Sequence, residues 1–475
     1  MRTLIAAFVV LAIAVSCQGV IHVDRLDGGT SFVVPSGQAF SLNTTGGEVR
    51  VYADNPNLEI IGLITVSGSG TLNLVIARNT AFSTGTAQVS AANAGGFLWN
   101  GITGSGPTVR VMGRVNGALQ GFGITAANVY RFDVGFLGAS ITRTGSNNNF
   151  IVFVNGGPSP YGSGGGTGSI TAQNGDIDTV DIFGNMEGNV QATIGSIGSV
   201  TSGGHIRGDI RAPQGSITTI SAGGEISRTS DSPGNRLAIT AMDGIGRVGA
   251  HTIRANIAAN SGGTGTIGRV RTTVGSLIGS VAASALTSST VGDGLLVAGN
   301  LEAAISIPGS LSAPIRVGGN VQNGGSFTGG SLLNANDAEI DITGNLTGNL
   351  SVGAVSRRVR VQGAVSSGRT LTTGAINNVS TSSLVIGGAV NGAVSVNGNI
   401  SAASSVGGGI PGTLTVNGNV AAPVNVSGGV SGSLTINSTV TSPVTITGGA
   451  FPVLSISTRA SALPSMSLNR SPARS

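Results

Sequence analysis

LTVNGNVAAPVNVSGGVSGSLTI, residues 414–436, carries one apolar pair three times: Leu414 and Val416, Val424 and Val426, Leu434 and Ile436. Each pair sits at i and i+2, so its two side chains share one face of an extended strand. The residues are largely β-branched, which suits a pleated, half-buried surface. Asn-Gly, Gly-Asn and Gly-Gly break every run and supply the backbone freedom of a tight corner.

The same phrase extends outward at ten-residue intervals. One series is Leu384, Val394, Leu414, Val424, Leu434, Val444 and Leu454, interrupted only by Ser404. A second runs from Ile386 through Val396 and Val406 to Ile456, and a third is Val390, Ile400, Ile410, Val420, Val430 and Val440. Residues 295–321 repeat the decad, as in Leu295, Ile305 and Ile315. Earlier the period doubles: Ile177, Ile197 and Ile217 are twenty apart, as are Val180, Val200 and Ile220. One coil of about twenty residues, built from two decads, accounts for both periods. Runs this short cannot bury an apolar face alone, whereas stacked coils bury it and satisfy the backbone along the stack. Helix is poorly supported, because Gly, Ser, Thr, Asn and Val dominate. The expected fold is therefore all-β, a parallel β-helix (solenoid) with about twenty residues per coil and right-handed winding. A twenty-residue step also sets Glu187 beside Arg207 and His205 beside Glu225. Such exposed pairs contribute about 0–1 kcal/mol each and help register more than stability.

Length by itself would suggest about three domains, but a solenoid grows by adding coils. Gly reaches 80 of 475 residues with 9% charged and 4% aromatic, while 40% is hydrophobic, which argues against a highly charged disordered chain. Residues 1–19 read as a signal peptide: Arg2 gives a positive start, and Leu4 to Val15 is apolar but short for a membrane span. Ala14-Val15-Ser16-Cys17 also resembles a lipobox without its usual Leu, making Cys17 a candidate lipidation site. It is the only Cys, so no internal disulfide is expected. Residues 20–165 hold Trp99, all three Tyr and most of the Phe, and are read as a cap with the first coils. Residues 166–457 form the repetitive solenoid, and 458–475 are expected to be a disordered tail.

The formal net charge is +5, and every basic residue is Arg. Apart from Arg357, Arg358 and Arg360 they are scattered along the chain, so no nucleic-acid stripe is expected. GTGTIG at 263–268 and GGGIPG at 407–412 match a dinucleotide fingerprint, but neither opens a convincing helix. His22, His205 and His251 show no metal-ligand spacing. No cofactor, metal or catalytic residue is assigned. Two acidic groups deserve weighing, Asp176 with Asp178 and Asp181, and Asp337 with Glu339 and Asp341, since paired carboxylates hydrolyse glycosidic bonds. SGGHIR at 202–207 only faintly matches the GHG of polygalacturonases, and their Arg-x-Lys motif is missing. Outward decad positions carry short polar residues, with Thr415, Asn417, Thr435 and Asn437 as the candidate polar binding face.

Alternating GGxV and GNV decads, as in residues 414–436, resemble bacterial secreted β-helix proteins, including adhesins and autotransporter passenger regions. The resemblance implies an exported, non-catalytic structural or adhesive surface protein whose partners are cell-surface or matrix polymers. It departs from an autotransporter at the end, where LNRSPARS replaces the strands of a translocator barrel. A membrane contact would then come only through lipid on Cys17. Two other readings stand beside it: a polysaccharide-active β-helix enzyme, and a binder of a regular surface such as glycan or ice.

Overall fold

The computed structural model describes residues 19–53, 60–77, 98–99, 102–104, 107–113, 118–119, 124–126, 129–134, 136–137, 140–145, 150–154, 166, 168–260, 263–287, 293–322, 324–331, 339–377, 384–448, 454–456 and 467–469. The apolar leader with Cys17 lies outside them, as do Asp337 and most of the Gly-rich segment 156–168. The described residues contain strands and turns but no helix. They wind as a β-solenoid of about 14 turns, with parallel coils stacked about 22 residues apart. The chain divides into two compact units, Met1–Gly224 and Glu225–Ser475.

The first unit opens antiparallel. Val20–Arg25 pairs with Phe32–Pro35 on one side and Gly47–Ala53 on the other. Its turn is held by Arg25, whose Nε lies 2.6 Å from Asp27 Oδ1 with both side chains buried. From Gly47–Ala53 onward the strands are parallel. A first sheet adds Thr71–Ala77, Thr108–Gly113, Val129–Val134, Ile151–Val154, Ile177–Ile182, Ile197–Ser202 and Ser216–Ala222 in chain order. A second sheet runs from Phe40–Thr44 through Ile141–Arg143 and Ile170–Ala172 to Ile210–Ala212. Ile177 lies opposite Ile197, and Ile197 opposite Ile217, the twenty-residue step of the sequence.

In the second unit the decads resolve into two walls. Thr413–Val416 and Ser433–Ile436 pair within the second sheet, while Ser404–Val406, Val424–Val426 and Val444–Thr447 pair within the first. Successive decads therefore face each other across the core, and Leu414 stacks on Leu434, not on Val424. The third apolar series makes single-residue bridges at the corners, Ile400 to Val420 to Val440 and Ile410 to Val430. From Leu384 to Ile446 the members of all three series are buried, and each side chain so placed contributes roughly 1.5–3 kcal/mol over an exposed position. The step varies, being 20 from Asn300 to Asn320, 25 to Asn345 and 19 to Ala364, and insertions also interrupt a wall: Thr266 lies opposite Ala285, whereas Arg269 on the same strand lies opposite Gly294. This is why the mean step exceeds twenty. Within 458–475, Ser467–Asn469 pairs parallel with Val444–Thr447, and the remainder of that segment lies outside the described residues.

Ser404, the gap in the first series, points inward between Leu384 and Val424. It is buried, and its hydroxyl donates weakly to the Ala402 carbonyl at 3.3 Å. Beside it the core keeps an apolar void of about 10 Å³, lined among others by Leu414, Val424 and Leu434.

Candidate functional site

The outward residues of the second sheet build the candidate face. Thr415 lies directly opposite Thr435, between inward Leu414 and Val416 on one coil and Leu434 and Ile436 on the next. Two residues on, just past the end of each strand, stands an exposed Asn. Asn417 Nδ2 donates to Asn397 Oδ1 at 2.9 Å, and Asn437 Nδ2 donates to Asn417 Oδ1 at 2.8 Å. Ser395 adds a hydroxyl to the same file, donating to Asn397 Oδ1 at 3.0 Å. The four residues picked from the sequence thus fall into two files, hydroxyl and amide, with one member per coil. Each inner amide gives one hydrogen and one oxygen to its neighbours, so the ladder fixes its own orientation.

A second amide file was not legible as such from the sequence. At the Gly-Asn corners the Asn oxygen accepts the backbone N–H of the equivalent residue one coil on. Asn300 takes Asn320 at 2.9 Å, Asn320 takes Asn345 at 2.7 Å, and Asn345 takes Ala364 at 2.8 Å. Asn185 with His205 and Asn399 with Asn419 repeat the contact at 2.8 Å. The Gly before the donating N–H has a steric reason. A Cβ on Gly204 would collide with Asn185 Oδ1, and one on Gly319 or Gly363 would collide with Asn300 or Asn345. The dipeptide is one device: the Asn ties two coils, and the next coil's Gly leaves room for its oxygen.

Of the two acidic groups, Asp176, Glu339 and Asp341 are engaged with neighbours, while Asp178 is exposed and Asp181 half-buried. Glu339 lies 3.1 Å from Arg316 and 2.7 Å from Arg358, and Asp341 pairs with Arg360 in the coil beyond. Burial pushes the Asp341 carboxyl up, but the Arg360 hydrogen bonds and the charges of Arg360 and Arg358 outweigh it and hold the group below its ordinary range. A carboxyl so held stays ionised and is a poor proton donor. Asp176 Oδ1 accepts the Ser196 N–H at 2.7 Å across a coil step. Glu187 meets Arg207 at 2.7 Å, the neighbours that the twenty-residue step implies. His205 and Glu225 belong to different units. GTGTIG runs from a turn into the strand Thr266–Thr272, and GGGIPG forms the corner before Thr413–Val416. His22 stacks on Tyr52 with ring centroids 4.9 Å apart. Among the described residues no three of His, Cys, Asp and Glu gather as a metal site would require.

Sequence reading also missed Arg143, an inward residue in register with Ala172. Its side chain is fully buried against the Phe150 ring at 5.2 Å. Nη2 donates to the carbonyls of Asn174 and Asp176 at 3.1 and 3.4 Å, while Nε and Nη1 find no partner. Desolvation lowers its pKa, and the charge of Asp176 opposes that shift. Neither a family model nor a curated protein nor a solved structure matches this chain.

Proposed function

We propose that this chain is an exported structural or adhesive protein that acts through its surface and carries out no catalysis. The observation that supports this reading best is the use made of its polar residues. The exposed amide file ties Asn397, Asn417 and Asn437 together, and the corner file ties Asn300, Asn320 and Asn345. The carboxylates of Glu339 and Asp341, which a glycosidase would keep free for acid and base work, are instead bonded to Arg316, Arg358 and Arg360. Polar chemistry on this chain serves to hold coil to coil, which suits a durable scaffold. Export is read from Arg2 and the apolar run ending at Val15.

The test is to fractionate the native host and determine the mature N-terminus by mass spectrometry. A lipidated Cys17 in the envelope, or a soluble chain starting at Val20, is expected. An intact Met1 terminus in the cytosol would overturn export. Turnover of any polysaccharide in a panel by the purified chain would overturn the non-catalytic part.

A further inference from the structure

The fold gathers arginines that the sequence scatters. On the outward side of the first sheet in the second unit, Arg247 lies directly opposite Arg269 in the next coil. Arg271, two residues on from Arg269, is exposed on the same strand and sits opposite Gly249. The following coil presents Gly294 and Leu296 at these positions, and Arg316 lies opposite Leu296 one coil further. Beyond Arg316 come Glu339 and Asp341, then Arg358 and Arg360.

Two like charges in register on adjacent strands repel, and a fold would ordinarily place an acid between them. Here the acid offered is Asp293, itself buried, whose Oδ1 lies 3.6 Å from Arg247 Nε. Asp243 is exposed at the corner before Arg247. Arg269 Nε has no hydrogen-bond partner. Arg247, Arg269 and Arg271 thus face outward on two adjacent coils with an excess of positive charge, whereas Arg316, Arg358 and Arg360 are engaged by Glu339 and Asp341.

We infer that this arginine file is a docking face for a linear anionic polysaccharide carrying one carboxylate per sugar ring. The inference names a partner class for the adhesive role and rests on that reading. Three features favour this occupant. Coils rise about 4.8 Å each, close to the spacing of charges along a chain of uronic acids. Guanidinium groups take carboxylates through two parallel hydrogen bonds, a geometry that a planar Arg presents and a Lys does not. The described outward residues of this sheet from Gly244 to Val361 include no aromatic side chain, which removes the stacking platform that single-stranded nucleic acid uses.

The test is retention of the purified chain on immobilised polygalacturonate, with neutral dextran and single-stranded DNA as comparison columns. Binding to polygalacturonate at low salt that weakens as salt rises is expected, since exposed charges are screened. The triple variant R247Q/R269Q/R271Q should weaken binding tenfold or more. R50Q/R211Q/R369Q removes the same charge elsewhere and should leave binding within twofold. Equal losses in both variants would reduce the effect to net charge and overturn the proposal. Tighter binding to DNA than to polygalacturonate at matched salt would overturn it in favour of nucleic acid. If the triple variant fails to fold, the exposed Arg271→Glu should weaken binding at least threefold, and unchanged binding overturns the inference. Export is read separately from the mature N-terminus, so a failed export test and a failed binding test remain distinguishable.

Discussion

At Gly204 the side-chain oxygen of Asn185 crosses over the backbone of the next coil to reach the His205 N–H. Gly204→Ala drives a methyl group into that oxygen, and overpacking of this kind costs about 1–3 kcal/mol. Asn185→Ala loses one hydrogen bond, about 1 kcal/mol, but also clears the space. The double variant is therefore expected to cost less than the sum of the two, measured by urea unfolding. Additivity within about 0.5 kcal/mol would mean that the two residues act independently. Asp27 gives a second residue-scale prediction. The hydrogen bond from Arg25, aided by Thr44 and the Gly29 N–H, lowers its pKa from 3.8 to about 2. Its stabilisation is full above pH 3.8 and is lost as pH falls through about 2. The wild-type melting temperature should fall more steeply between these values than that of Asp27→Asn. Parallel curves would remove Asp27 from the acid response. Little of this was legible beforehand. Asn in a Gly-rich corner reads only as a turn former, because the contact that gives it a role is made with a residue twenty places on.

Among elements, the strand Ser404–Val406 is the weak member of its stack. Its first inward position is Ser, where Leu384 and Val424 stand before and after it. Ser404→Val should fill part of the adjoining void and raise the unfolding free energy by about 1 kcal/mol, the value of one or two buried carbons less a weak hydrogen bond. A drop in stability would mean that the hydroxyl contact with Ala402 outweighs the void. The strands themselves were the most legible feature, since alternation of Leu, Val and Ile at i and i+2 carries both face and length. What periodicity could not supply was the wall each strand joins. Leu414 and Val424 occupy equivalent places in the decad, and only pairing assigns them to opposite sheets.

At the scale of the molecule, the coil is two decads, and this can be tested by deletion. Removing residues 401–420 takes out one complete coil and leaves both sheets in register. That variant should fold with a melting curve close to the parent. Removing residues 401–410 alone takes out half a coil and exchanges the walls for everything that follows. It also separates Asn399 from Asn419 and Asn397 from Asn417. The half-coil variant should melt markedly lower, and equal stability of the two would make the decad the true repeat. The solenoid was foreseeable from its period, while the arginine face was not. Arg247 and Arg269 stand twenty-two places apart in the sequence and meet only through parallel pairing.

The direction of that pairing has a mechanical meaning. In each unit the bonds between parallel strands point from coil to coil, along the direction in which coils accumulate. A pull in that direction loads one interface at a time, and the chain should yield by peeling, each freed coil paying out roughly 70–80 Å of slack. A load applied across the coils is instead shared by every rung of the ladder. The same hydrogen bonds thus make a material that gives way gradually when stretched and stands firm when pressed from the side.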